Sequence, residues 1–490
     1  MRFSKAYLRD CIYACWIGKN IGGTIGTPFE GRRELLDVKG FVTEPGKPLA
    51  NDDLDLQLAW LRAVDELGPE QINSKTLGEY WLAHVKPHWN EYGVGKGNMR
   101  GGFFPPLSGE LFNEHWTHSN GAWIRTEIWA SLYPGQVDKA IRFAFEDASV
   151  DHGFGEGSYA AIFVAAMESA AYVIKDLRVL IDIGLSKIPE DCRIAKAVRL
   201  VCEEYDKGTD WRVLREMLIE QSADIGWFQA PANVGFTVLG LLYGEGDFKK
   251  SVLIAVSCGD DTVCTGATAG ALMGILNGME GIPADWRAFI GDDIVNGCLL
   301  FGHGRFPKSC TELTDNVMNL LPVTCRTGMQ QLGVTGEKIT FGDENDFADF
   351  DIEAQKGRAF VNSLARRGRW SFSVESVFAD AFICFEREPV LQAGETLRGK
   401  VIIVPHTLPE ARQWRLRWVL PEGWHVSGRK SLFTASIHDY DPEHPANRRD
   451  SEAEFTITAG EDVEAVNHLL LDISAPDRPT HIIAPITILG

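Results

Sequence analysis

Positive charge is what this chain is short of. Its 490 residues carry 48 Lys and Arg against 68 Asp and Glu, a net charge of -20. That balance excludes nucleic acid and anionic membrane surfaces as general partners. Long apolar runs are absent too, so no membrane span is expected. The opening stretch, Met1 to Gly31, is apolar only in pieces, broken by Arg2, Lys5, Arg9, Asp10 and Lys19. It does not read as a secretory leader. The ten cysteines form no CxxC pair and no metal-finger spacing. In so long a chain they read as reduced, mostly buried thiols of a cytoplasmic protein.

What the chain does have is two textures. Residues 1–325 are helical in pattern. Leu54, Leu58, Leu61, Val64 and Leu67 form an i, i+3, i+4, i+7 stripe. Ser158 to Ile174 is apolar nearly all round, the mark of a buried helix. Gly93–Pro106 and Asp151–Gly157 read as Gly-rich loops. Residues 326–370 read as an acidic linker or extension. From 371 to 490 the period becomes two, as in Trp414, Leu416, Trp418 and Leu420. The expected architecture is an all-α domain followed by a small Ig-like β-sandwich.

Two acidic clusters carry the chemistry. Asp260-Asp261 opens a small-residue run in which Gly266, Gly270 and Gly274 recur every four positions. Glycine disfavours helix, so a glycine stripe on one helix face points to close packing against another backbone. That packing would fix the two aspartates near the centre of the domain. Asn51-Asp52-Asp53 opens the Leu54–Leu67 helix in the same way. One Asp before one helix is an ordinary N-cap. Two exceed what one cap uses, and several carboxyl and amide oxygens together suit a hard cation. Cysteine and histidine are too sparse around both clusters for zinc.

Five motifs in order give the chain a recognisable resemblance. They are Gly18-Lys19-Asn20-Ile21-Gly22 through Gly26-Thr27-Pro28-Phe29-Glu30, then Asn51-Asp52-Asp53, then Gly121-Ala122-Trp123-Ile124-Arg125, then Asp151-His152-Gly153, and finally Gly259 to Gly270. Over about residues 6–300 the sequence resembles the all-α ADP-ribosylglycohydrolase (DraG-like) family. The resemblance implies a cleft that hydrolyses an N- or O-glycosidic bond at the anomeric carbon of ribose or a related sugar. It implies Mg²⁺, one ion or two, with Mn²⁺ or Ca²⁺ as substitutes. Carried over by position, Asn51, Asp52, Asp53, Asp260 and Asp261 are the metal-ligand candidates. Glu30, Asp52, Asp53 and Asp261 are the catalytic ones. Gly121, Ala122, Arg125, Asp151, His152, Gly153 and Glu156 are expected to line the substrate pocket, with Trp227 and Asn233 of an aromatic loop beside them.

Departures from the family pattern shape the expectation. The second aspartate of the family's Asp-Thr-Asp falls on Val263, which offers no ligand, and Cys264 follows where a threonine oxygen is common. Asn51 stands in for a hydroxyl residue. At most one well-formed metal site is therefore expected. Two other readings accompany the first. One is a glycosidase or nucleoside-type hydrolase acting on a small sugar conjugate. The other is a catalytically weak protein that binds ADP-ribose or a sugar. The expected partner is a small-molecule or ADP-ribosylated substrate, and assembly into a homo-oligomer is left open.

Overall fold

The computed structural model describes residues 1–300, 306–325, 339–376, 379–405, 412–434, 451–476 and 479–490. They divide into two compact units. The first is helical and comprises, among the described residues, 1–97, 108–325 and 339–358. The second comprises 98–107 and 359–490 and is rich in antiparallel sheet. Of the stretch read as a linker, 339–358 thus belongs to the first unit and 359–370 to the second, while 326–338 lie outside the described residues.

The helical unit is organised around one helix pair. Lys5–Gly26 begins at the N-cap Ser4, whose hydroxyl accepts from the Tyr7 amide. It packs lengthwise against Thr262–Gly281. The glycine stripe of the second helix meets a glycine stripe on the first. A Cβ at Gly266 would lie 2.8 Å from the Gly22 carbonyl oxygen, and one at Gly26 would lie 2.6 Å from the Thr262 carbonyl carbon. Gly18 faces Gly270 in the same manner. Both helices are buried over most of their length. The expected backbone-to-backbone contact is therefore present, and its partner is the chain's own first long helix.

The Leu stripe buries one face of Asp52–Leu67, with Leu54, Leu58, Leu61 and Val64 all enclosed. The apolar run near 160 forms the buried helix Glu156–Ala171. Two loop expectations are corrected. Asn90–Arg100 is a helix in spite of Gly93, Gly95 and Gly97. Tertiary contact overrides propensity there, since a Cβ at Gly95 would meet Asp151 at 3.2–3.3 Å. The helix Val137–His152 likewise runs through Asp151, leaving only residues 153–155 before the next helix. Strand β1 (Arg2–Ser4) pairs in parallel with β2 (Thr340–Gly342). Among the described residues no helix is long and apolar enough to cross a membrane.

The second unit holds β3 (Ser371–Glu375), β4 (Ala379–Phe385), β5 (Thr396–Pro405), β6 (Arg412–Val419), β7 (His425–Gly428), β8 (Ser431–Thr434), β9 (Ser451–Thr458), β10 (Val466–Ser474) and β11 (His481–Leu489). One sheet has the order β3-β4-β5-β9-β7 and the other β11-β10-β6-β8. Alternation places Trp414 and Leu416, Leu469 and Leu471, and Ile482 and Ile486 inside. Trp418 of β6 meets Phe455 of β9 across the sheets at 4.8 Å between ring centroids. The antiparallel strands expected from the period-two pattern are what the described residues build, in two sheets.

Candidate functional site

The helix starts that carry the acidic clusters converge on one cleft of about 510 Å³ in the helical unit. Each cluster begins with a real cap. The Asn51 side-chain oxygen accepts from the Asp53 amide at 2.8 Å. Asp261 Oδ1 accepts from the Cys264 amide at 3.1 Å. Capping thus accounts for Asn51 and one oxygen of Asp261, and the remaining carboxylate oxygens are surplus to it.

Glu30, Asn51, Asp52, Asp53 and Asp261 all line the cleft. Asp52 Oδ2 accepts from the Tyr92 hydroxyl at 2.9 Å. Asp261 Oδ2 accepts from the Asn120 amide at 2.9 Å. Asp53 is fully buried, and its Oδ2 has no hydrogen-bond donor. The Lys19 ammonium stands 3.9 Å from that oxygen and 2.7 Å from Glu127 Oε1. Gln57 ties Glu127 to the Asp53 carbonyl, at 2.9 and 2.8 Å. The buried Lys19 ammonium therefore backs the acidic wall at Asp53. Asp55, from the same cluster, accepts from the amides of Gly297 and Cys298 and so pins that loop against the cleft.

Crowding of carboxylates in a poorly solvated space shows in their acidities. Glu30 stands at the rim with its side chain open, yet desolvation, aided by Asp261 and Asp52, pushes it up to about 7. Burial also raises Asp53 well above the ordinary range, against the pull of Lys19. Asp52 and Asp261 are raised for the same first reason, burial.

The other expected site residues are placed differently. Asp260 is not among the cleft-lining residues. It takes a left-handed backbone (φ 64°), and its carboxylate accepts from the Phe228 amide at 3.1 Å and from Asn233 Nδ2 at 2.9 Å. It fastens the 227–233 loop, whose Phe228 does line the cleft. Asn233 serves that fastening, and Trp227 lies under the Arg33 guanidinium at 4.7 Å. Of the 121–125 motif, Gly121 and Ile124 reach the cleft, whereas Ala122 and Arg125 do not. Arg125 is completely buried, held by Asp147 at 3.0 Å and Asp151 at 2.8 Å, and it donates to the Gly121 carbonyl. Its role is to hold the motif's backbone. Asp151 and His152 form the layer behind. Burial alone would raise Asp151, but Arg125 and His152 outweigh it and hold the carboxyl at about 2. His152 reaches Asp151 with Nδ1 and Ser119 Oγ with Nε2, both at 2.9 Å. Gly153 makes the turn between the helices (φ 54°), and Glu156 accepts from the amides of Arg193 and Ile194, away from the cleft.

Sequence reasoning missed Glu91, Tyr92, Ser119 and Asn120, all of which line the cleft. Ser119 and Asn120 sit immediately before Gly121, a signal that could have found them. Glu91 and Tyr92 lie just ahead of the stretch read as a loop and carry no motif.

The donor set does not fit a two-ion centre of the kind that the resemblance implies. Val263 and Cys264 line the cleft where further oxygen ligands would stand, and Asp260 is engaged elsewhere. Among the described residues no three His, Cys, Asp or Glu side chains are gathered as a ready ligand group. One hard cation is compatible with the remaining chemistry. Asp52, Asp53 and Asp261 bring carboxylates to one space, and the donor-less Asp53 Oδ2 is the kind of buried oxygen a cation satisfies.

Comparison with known proteins follows the geometry. No curated protein matches the chain. Among solved structures, a chain titled as an ADP-ribosylglycohydrolase-related protein complex is 18% identical, with a TM-score of 0.45, over 65% of this chain and 99% of its own length. A FixG-related protein from Vibrio parahaemolyticus is 7% identical, with a TM-score of 0.19, over 24% of this chain and 98% of its own. The profile of the ADP-ribosylglycohydrolase family, a family of hydrolases, matches residues 4–316. With that match spanning most of the helical unit and both acidic clusters, the chain belongs to the ADP-ribosylglycohydrolase family.

Proposed function

We propose that the cleft hydrolyses an N- or O-glycosidic bond at the anomeric carbon of ADP-ribose or a related ribosyl conjugate. The observation that carries this reading is the convergence of Glu30, Asp52, Asp53 and Asp261 on one cleft of about 510 Å³ that also presents Trp89, Tyr92 and Phe228. Aromatic faces suit a sugar or base, and the half-exposed Trp89 at the rim is placed to stack on one. A carboxylate at the cleft can take the proton of an attacking water, and Glu30, whose carboxyl is pushed up to about 7 and is therefore the more basic when ionised, is the residue for that step. Asp52 and Asp261, each anchored by a neutral donor, orient ribose hydroxyls. A hard cation held by Asp52, Asp53 and Asp261 would supply charge stabilisation when bound.

The test is a substrate panel. Purified protein is incubated with an ADP-ribosylated peptide, free ADP-ribosyl conjugates and aryl ribosides, with and without Mg²⁺ or Mn²⁺. Release of ADP-ribose supports the reading, and release of aryl alcohol alone moves the substrate to small glycosides. Val263 in the cleft wall favours a second reading, a binding protein that has lost turnover. Saturable binding of ADP-ribose with no product from any substrate would establish it.

A further inference from the structure

Cleavage of a glycosidic bond asks for a group that protonates the departing oxygen or nitrogen, besides the one that activates water. The four carboxylates of the acidic wall are poorly suited to that. Asp261 has both oxygens engaged by N–H donors, and Asp52 accepts from Tyr92. Asp53 faces Lys19. Glu30 is the candidate base.

A fifth acid lines the same cleft. Glu91 is 5% exposed, and its Oε2 has no hydrogen-bond partner. Its other oxygen lies against Gly121, so closely that a Cβ there would collide with it. Glycine at 121 is what leaves room for this carboxyl. The groups facing it are known. Ser119, in the turn before Gly121, and His152 favour its ionised form, and Asp151 opposes it. The chain Arg125–Asp151–His152–Ser119 is continuous, with steps of 2.8, 2.9 and 2.9 Å. It ends at Glu91.

We infer that Glu91 is the general acid of this cleft, in surroundings set by Gly121, Ser119 and His152. The inference rests on the hydrolase reading above. In the step, the Glu91 proton passes to the leaving atom as its bond to the anomeric carbon breaks. Water forms the new bond to that carbon, and its proton goes to Glu30. Solvent exchange then takes the proton from Glu30 and returns one to Glu91, so the net change is addition of water across the bond. Burial, opposed by His152 and aided by Asp151, pushes the Glu91 carboxyl up to about 7, which keeps a protonated fraction at neutral pH. His152 and Ser119 are positioning residues.

The experiment compares full-length wild type, Glu91→Gln and Ser119→Ala on two ribosides, one with an alkyl and one with a 4-nitrophenyl leaving group. A nitrophenolate leaves without help, so only the alkyl substrate needs the acid. Glu91→Gln is expected to slow the alkyl riboside about 100-fold or more and the nitrophenyl riboside by less than about 10-fold. It should also remove the fall in rate above about pH 7. Ser119→Ala should move that limb without abolishing turnover. Thermal melting and ADP-ribose binding by calorimetry check that Glu91→Gln folds and keeps its pocket. Equal losses on both substrates with the alkaline limb retained, or rates within about threefold of wild type on both, would overturn the assignment. If wild type cleaves neither riboside nor any ADP-ribosyl substrate, the hydrolase reading falls and takes the assignment with it.

Discussion

Gly26→Ala tests the link between helix packing and the cleft. Gly26 ends the first long helix beside Thr262, the residue after Asp261. A Cβ there would lie 2.6 Å from the Thr262 carbonyl carbon and 2.8 Å from the Val263 nitrogen, with the Thr262 carbonyl oxygen nearer still. Ordinary contact begins near 3.4 Å, so the two backbones must part by at least about 0.8 Å. The bond from the Thr262 hydroxyl to the Gly26 carbonyl, 2.8 Å long, is strained by the same movement. Overpacking of this kind costs about 1–3 kcal/mol, and the better helix propensity of alanine offsets up to about 1 of it. The net is a loss of about 0–2 kcal/mol, or a melting point lower by at most roughly 4–8 °C. Activity should suffer more, because the displaced helix start carries Asp261, Val263 and Cys264 into the cleft. A shift near 1 Å at reacting groups can cost on the order of 100-fold. Differential scanning fluorimetry and ADP-ribose release on the same preparation give both numbers. The control is Gly97→Ala, a helical glycine with nothing within 4 Å of its would-be Cβ. It should be neutral or stabilise by about 0.5–1 kcal/mol. A Gly26→Ala protein as stable and as active as wild type would refute the claim that this contact sets the position of Asp261.

Four further outcomes are expected. Arg125→Met leaves Asp147 and Asp151 buried without their partner and should cost about 3–5 kcal/mol in urea unfolding. Because the Glu91 carboxyl titrates higher folded than unfolded, its stabilising contribution is full below about pH 4.5 and is lost as pH rises through about 7; unfolding of wild type against Glu91→Gln should diverge by up to roughly 3 kcal/mol across that window. Turnover should rise with pH up to about 7 as Glu30 ionises, before the alkaline fall set by Glu91, and Glu30→Gln should remove that rising limb. Mn²⁺ binding by calorimetry should show no more than one site per chain, lost in Asp53→Asn and strengthened in Val263→Asp.

Much of the fold could be read in advance because its signals are local. The Leu54–Leu67 stripe, the all-apolar run near 160 and the period-two alternation around Trp414 each state a burial pattern that the chain obeys. The glycine stripe announced a backbone contact but not its partner, since Gly18, Gly22 and Gly26 only acquire meaning once opposite Gly266 and Gly270. Asp52, Asp53 and Asp261 of the acidic wall were legible for the same reason, since they stand at helix starts, whereas Glu30, past the end of a short 3-10 turn, came only through the family resemblance. Glu91, Ser119 and Asn120 were not, because only tertiary assembly brings them to the cleft. Asp260 and Arg125 illustrate the converse. Their motifs point to a site, yet each side chain secures the backbone next to it.

The central claim is that this acidic cleft breaks a glycosidic bond to ribose. Quantifying free ADP-ribose released from an ADP-ribosylated peptide by wild type and by Asp53→Asn, with both shown to be folded, tests it most directly. The account predicts release by wild type and a rate at least about 100-fold lower in the variant. Release that is unchanged by the substitution would place the chemistry outside the cleft, and no release by wild type would contradict the claim itself.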